Sequence, residues 1–369
     1  YIEEANWDIV VVDEAQNAAK RGSTASQRHR LADQLSRRCD TMILLSATPH
    51  DGSPESFASL MNMLDPTAIA NPSDYTRADI DGLFVRRFKG DIKNQVDSAF
   101  QDRDMGICTA ESTEAEEAVY DTLSQLDLTA IDEEGSGDML FRTTLEKAMF
   151  SSPVACLETV EHRIERLDAE GDPEYQHDLQ QLRTLAEALR AIGPEQFSKY
   201  QRLLSLLQGP EGLEWDGTDP EDRLVLFSER LETLRFLEEH LQAELDLPEG
   251  AIQKLHGGLS DVDQQEGVEA FGKDEADVRL LLASDIAAEG INLHHLCHRL
   301  IHFDIPWSLM LFQQRNGRID RYGQTEAPQI RYMVTTPKNE DIHGDQRILE
   351  VLIEKEQQAE ANIDDPASL

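Results

Sequence analysis

The sequence predicts an α/β protein built on parallel sheets in two lobes, with a helical insertion between them. Three observations carry this expectation. Two continuous apolar runs near the N-terminus, Trp7–Val12 and Thr41–Leu45, are separated by a polar helix, the pattern of parallel strands covered on both faces. Residues 216–340 alternate between short strands and helices, which gives a parallel sheet with right-handed crossovers. Residues 101–215 carry helical periodicity instead.

In chain order, the first lobe (1–100) opens with Trp7–Val12, which runs into Asp13-Glu14-Ala15-Gln16. An Arg-rich helix, roughly 26–38, leads to the second run, which ends in Ser46-Ala47-Thr48-Pro49. These polar groups sit just past strand C-termini, where open α/β sheets bind ligands. The insertion (101–215) shows Tyr120, Leu123 and Leu126 in one stripe and Leu179, Leu182, Leu185 and Leu189 in another. A Gly-rich acidic stretch, 133–138, reads as a mobile loop. In the second lobe (216–342) strands are expected at 224–227, 252–255, 278–283, 299–303 and 330–334, with a Leu-striped helix over 229–245. A charged helical tail closes the chain at 343–369.

A length of 369 residues suits two or three domains. The net charge is −38, from 72 Asp+Glu against 34 Lys+Arg, and only nine of the latter are Lys. A uniformly acidic, Lys-poor chain that is still 40% hydrophobic fits a protein folded in molar salt better than a disordered one. Salt of that strength shortens the Debye length to roughly 3 Å, so acidity does not exclude DNA as a partner, although long-range attraction is lost. No run of about 18 apolar residues is present, so no membrane-spanning helix is expected. Four cysteines lack metal-ligand spacing and read as reduced thiols in a cytoplasmic protein.

The most informative run is Gln313–Gln324, QQRNGRIDRYGQ. Arg318 and Arg321 are three apart and so would share one helical face, with Gly317 permitting close approach before them. Paired guanidinium forks match phosphate oxygens bidentately. Taken alone, two arginines fit a solvated charged helix as well. The run resembles the last motif of superfamily-two helicases and translocases, in the Snf-type form that ends Arg-x-Gly-Gln. Other runs resemble further motifs of that family in order: Asp13-Glu14 the acidic motif, Ser46-Ala47-Thr48 the third, Leu226-Phe227-Ser228 the fourth and 283–293 (ASDIAAEGINL) the fifth. Asp304-Ile305-Pro306-Trp307 continues the pattern, with Trp307 read as a packed aromatic rather than a base-stacking one. The basic stretch 83–92 resembles the segment that leaves the first lobe. Phe150-Ser151-Ser152-Pro153 resembles a helical insertion of the bacterial branch that acts on RNA polymerase or in phage defence.

The resemblance implies two RecA-like lobes, ATP with Mg²⁺ in their cleft, and movement on DNA, duplex most of all, driven by hydrolysis. It implies that Asp13 binds Mg²⁺ through water, that Glu14 orients the attacking water, and that Arg318 and Arg321 meet charge on the γ-phosphoryl. Asp285, Gly290 and Gln314 would lie near the nucleotide. Gln16, where His is more usual, would couple the motifs with Ser46 and Thr48. Ser228, His256, Gly257 and Ser284 would contact nucleic-acid backbone. RNA or single strands are the alternative substrate, and a non-catalytic product that only binds DNA or a partner is the second rival. One motif does not occur: no Gly-Lys-Ser/Thr loop stands in the 369 residues, and Gly272-Lys273 is followed by Asp274. With Tyr1 in place of Met, this reads as the C-terminal portion of a longer motor, inactive alone, whose missing segment lies in the same or a neighbouring polypeptide. The strands flanking Trp7–Val12 would then be partly absent, leaving an apolar sheet edge open.

Overall fold

Both expected strands of the first hundred residues form and pair in parallel: β1 (Trp7–Val12) with β2 (Cys39–Leu44), Ile9 opposite Thr41 and Val11 opposite Ile43. The structure, a computed structural model, describes residues 5–20, 22, 25–46, 53–85, 102–128, 137–209, 212–273, 276–285, 293, 296–321, 323–342 and 344–361. Thr48, Gly290 and most of the basic stretch 83–92 lie outside the described residues, as does the acidic loop 133–136.

Two compact units divide the chain, 1–96 with 354–369, and 97–353. In the first, α1 (Gln27–Ser36), capped by the Ser26 hydroxyl, and α2 (Pro54–Leu64), capped by Ser53, enclose a small core of Ala18, Ala32, Phe57, Leu60 and Met61. Met42 and Leu44 of β2 pack against it. The opposite sheet face carries Trp7, Ile9, Val11, Ile43 and Leu45, all exposed, Ile9 by 62%. Cover on both faces, expected from the apolar runs, is therefore corrected to cover on one. The strands alternate, and the described helices supply a partner for one set of side chains only.

The second unit is a six-stranded, all-parallel sheet in the order β3-β8-β7-β4-β6-β5. Its strands are β3 (Asp104–Glu111), β4 (Arg223–Phe227), β5 (Ile252–Leu255), β6 (Leu280–Ala283), β7 (Cys297–His302) and β8 (Gln329–Thr336). Five of these were expected within a few residues. The sixth, β3, falls inside the segment read as helical and pairs with β8 from Asp104 opposite Gln329 to Glu111 opposite Thr336.

Helices cover both faces. Along β4, Leu224 and Leu226 enter one core while Val225 and Phe227 enter the other, and all four are buried. The first core is built with the helical stretch: α3 (Glu114–Ser124), α4 (Gly137–Ser151), α5 (Pro153–Glu170), α6 (Gln176–Arg190), α7 (Ser198–Gln208) and the sheet helix α8 (Leu231–Glu244). The second core takes α9 (Asp261–Phe271), α10 (Leu309–Asn316) and α11 (Asp345–Ala361), the last through Leu349 and Leu352. So the stretch 114–208 is the cover of one sheet face. Among the described residues no helix is long and apolar enough to cross a membrane.

Candidate nucleotide and nucleic-acid site

In the first unit the acidic motif turns sharply out of β1. Glu14 adopts the left-handed conformation, φ 48° and ψ 46°, which costs a non-glycine residue on the order of 1 kcal/mol. The turn is held by Ala15 N–H donating to Leu45 O at 2.9 Å and by Glu14 N–H donating to Asp13 Oδ1 at 2.8 Å. Gln16, 2% exposed, completes it. Its Nε2 donates to Glu14 Oε2 at 2.5 Å, and its Oε1 accepts from Ser46 Oγ at 2.5 Å. The structure thus joins Glu14, Gln16 and Ser46 in one chain of hydrogen bonds and leaves Asp13 exposed beside it. A lone exposed carboxylate is a hard oxygen donor that suits Mg²⁺, which keeps its waters and takes few protein ligands. Among the described residues no group of three or more His, Cys, Asp or Glu could hold a metal ion.

In the second unit the arginine run departs from its expected form. Helix α10 ends at Asn316, with Gly317 at its C-cap, so Arg318 and Arg321 stand beyond the helix rather than on one of its faces. Successive turns carry them: Arg318 N–H donates to Arg315 O at 3.1 Å, and Gln324 N–H to Arg321 O at 3.2 Å. Arg318 is 9% exposed, whereas Arg321 is exposed. Gln314 lies half-buried on α10.

The centre of this region is a residue that sequence reasoning did not single out. Arg315 is 2% exposed. Its Nε and Nη2 donate to the two carboxylate oxygens of Asp285 at 2.5 and 2.8 Å. Its Nη1 donates to Asp304 O at 2.9 Å. Both carboxylate oxygens of Asp285, placed near the nucleotide from sequence, therefore meet Arg315. Asp304 is buried, and its Oδ2 accepts from Ser151 Oγ at 2.8 Å, Ser228 Oγ at 2.7 Å and Glu229 N–H at 2.9 Å. Burial pushes its carboxyl up, but Arg315 and the hydroxyls of Ser228 and Ser151 together hold it below the usual range. His302, fully buried, is lowered to about 3, first by burial and then by the neighbouring Arg315. Its Nε2 lies 2.8 Å from Asn316 Oδ1, and its ring stacks on Tyr332 at 4.8 Å between centroids. The signals for Arg315 and Asp304 were an arginine between Gln314 and Asn316 and an acid straight after a buried strand.

The residues expected to touch backbone phosphate separate. Ser228 is buried with its hydroxyl on Asp304, which turns it inward. Ser284 is 8% exposed, and its Oγ has no hydrogen-bond partner among the described residues. His256 is half-buried and Gly257 exposed, on a turn past β5 where His256 Nδ1 accepts from Gly258 N–H at 3.2 Å. Trp307 is 39% exposed, with the Lys147 ammonium 5.6 Å from its ring centroid.

Residues 198–323, which contain β4 to β7 and the arginine run, match the family model described as "Helicase conserved C-terminal domain". The chain resembles Snf-type superfamily-two helicases. Over 362 residues the chain is 25% identical to the protein called RNA polymerase-associated protein RapA of Stutzerimonas stutzeri, covering 90% of this chain and 35% of that one. The protein of that name in Vibrio parahaemolyticus is 24% identical over 353 residues, covering 87% of this chain and 34% of that one. The chain therefore spans about a third of the length of the curated relatives it matches. Among solved structures it is similar to the C-terminal part of the Fun30 ATPase domain, with a TM-score of 0.45 and 18% identity over 69% of this chain and 90% of that one. It is also similar to the Sulfolobus solfataricus SWI2/SNF2 ATPase core in complex with dsDNA, with a TM-score of 0.40 and 17% identity over 97% of this chain and 69% of that one.

Proposed function

We propose that this chain is part of a Snf-type superfamily-two motor and couples ATP hydrolysis to movement along duplex DNA. The observation that carries the reading is the hydrogen-bonded chain Glu14–Gln16–Ser46, with Glu14 strained into the left-handed region. Strain of this kind persists where the surroundings over-determine it, which is common at catalytic positions. A motor must link the group that orients water to the groups that sense movement, and Gln16 joins two such motifs across thirty positions.

In this reading Glu14 orients and polarises the attacking water, and Arg318 and Arg321 stabilise charge on the transferring phosphoryl. Asp13 would hold Mg²⁺, which when bound neutralises phosphate charge. The turn at His256 and Gly257, with Ser284, tracks nucleic-acid backbone. The 369 residues contain no Gly-Lys-Ser/Thr loop, so turnover depends on such a loop supplied from outside them. The protein works in the cytoplasm of a cell rich in salt.

The substrate class is tested by steady-state ATPase of the chain joined to a segment carrying that loop, with duplex DNA, single-stranded DNA or RNA added. Stimulation greatest with duplex supports the reading. Stimulation by single strands or RNA alone assigns the alternative substrate, and none by any of them leaves a binding protein.

A further inference from the structure

Arg315 lies across the C-terminal ends of three neighbouring strands. It takes both carboxylate oxygens of Asp285, past β6, and the main-chain oxygen of Asp304, past β7. Its guanidinium carbon stands 5.5 Å from the ring centroid of Phe227, the last residue of β4. In the sheet those strands run β7-β4-β6. The strand order reverses there: β4 is followed by β5 and β6 on one side and by β7 and β8 on the other. Doubly wound sheets take ligands in the crevice at such a reversal. In this chain the crevice holds the chain's own guanidinium.

The far side of the clamp reaches the helical cover. Asp304 accepts from Ser151, the last residue of α4. Ser151 Oγ also lies 2.8 Å from Thr233 Oγ1, which lies 2.7 Å from Ser152 Oγ, all three hydroxyls buried. On the near side, Arg315 is the penultimate residue of α10, and its carbonyl accepts the Arg318 N–H. The residue whose side chain is buried in the clamp thus also accepts, through its main chain, the Arg318 N–H where α10 ends.

We propose that Arg315 is a positioning residue: it anchors the end of α10 so that Arg318 and Arg321 are held for a phosphoryl group, and Ser151 makes the helical cover part of that anchor. This rests on the reading under Proposed function for what the two arginines meet. A buried ion pair alone is weak evidence of anything but packing. Three features go further here. The pairing is bidentate, the same guanidinium stacks on Phe227, and the anchored segment is the arginine run. Lysine keeps the charge but cannot span two carboxylate oxygens, a carbonyl and a ring.

The test compares Arg315→Lys, Ser151→Ala and Ser151→Thr with the parent. Hydrogen–deuterium exchange is read on this chain, and ATPase on the chain joined to the loop segment. We expect Arg315→Lys and Ser151→Ala to speed amide exchange over residues 315–321, with β4 and β6 unchanged. We expect kcat to fall by about 10-fold or more with KM for ATP within about twofold, as a small misplacement of catalytic groups does. Ser151→Thr keeps the hydroxyl, beside a small pocket lined by Lys147, Glu229 and Trp307, and should restore both. Should Arg315→Lys fail to fold, Ser151→Ala, which deletes one oxygen, carries the comparison. Unchanged exchange over 315–321, exchange raised everywhere alike, or an equal rise in KM would overturn the proposal. A parent without ATPase would overturn the functional reading, while the exchange experiment still decides the anchoring.

Discussion

Gln16 and Ser46, thirty positions apart in the chain, meet in a hydrogen bond of 2.5 Å, and the other end of the same amide holds Glu14. An amide can do this because it donates at one atom and accepts at the other. Replacing Gln16 by Ala removes both bonds and leaves Glu14 without its orienting partner. Nucleic-acid-stimulated kcat should fall about 10-fold. Gln16→His, whose two ring nitrogens can also donate and accept, should recover most of it. Full activity in Gln16→Ala, measured by steady-state ATPase with duplex DNA, would dismiss the coupling.

Arg321 is exposed, so its removal should not disturb packing. We predict that Arg321→Ala lowers kcat by at least about 10²-fold with nucleotide affinity largely kept, because the group acts on transition-state charge. Arg318→Ala should do the same and also lower the melting temperature, since Arg318 is 9% exposed. Near-parental turnover in either variant would remove that residue from the catalytic set.

The first lobe's strands were legible because continuous apolar runs leave little choice, and β4 to β8 because each run ends at a polar turn. Strand β3 was not: Asp104–Glu111 interleaves Asp104, Thr109 and Glu111 with Gly106, and its stability comes from pairing with Gln329–Thr336, over two hundred residues later. Arg318 and Arg321 were recognisable by type, but not their place beyond the helix, which depends on Gly317 ending α10 at Asn316. Arg315 was hidden for a different reason. Its partners Asp285 and Asp304 come from two other strand ends, and only the sheet order makes them neighbours.

His302 supplies a pH test. Its pKa in the fold is lowered to about 3, from an ordinary 6.5. The unfolded chain then binds more protons between those values, so this contribution is fully present above about pH 6.5 and is lost as pH falls toward 3. The loss runs at up to about 1.4 kcal/mol per pH unit. Urea unfolding of the parent and of His302→Gln should give stabilities that converge as pH drops from 6.5 to 4, with a constant gap above 7. A gap that stays the same across the whole range would show that His302 is not held neutral.

With a net charge of −38, the fold should depend on salt. Helicity and melting temperature followed by circular dichroism should rise from low to molar KCl. Equal values at both ends would remove the reading of a protein adapted to salt.

The central claim is that Glu14 and the arginines serve an ATP hydrolysis that nucleic acid stimulates. The most direct measurement is steady-state ATPase in molar KCl, with and without duplex DNA, on the chain alone and on the chain joined to a segment carrying the phosphate-binding loop. We predict no turnover by the chain alone, DNA-stimulated turnover by the joined protein, and loss of that turnover in Glu14→Gln. Turnover by the 369 residues alone, or a joined protein that Glu14→Gln leaves active, would contradict the account.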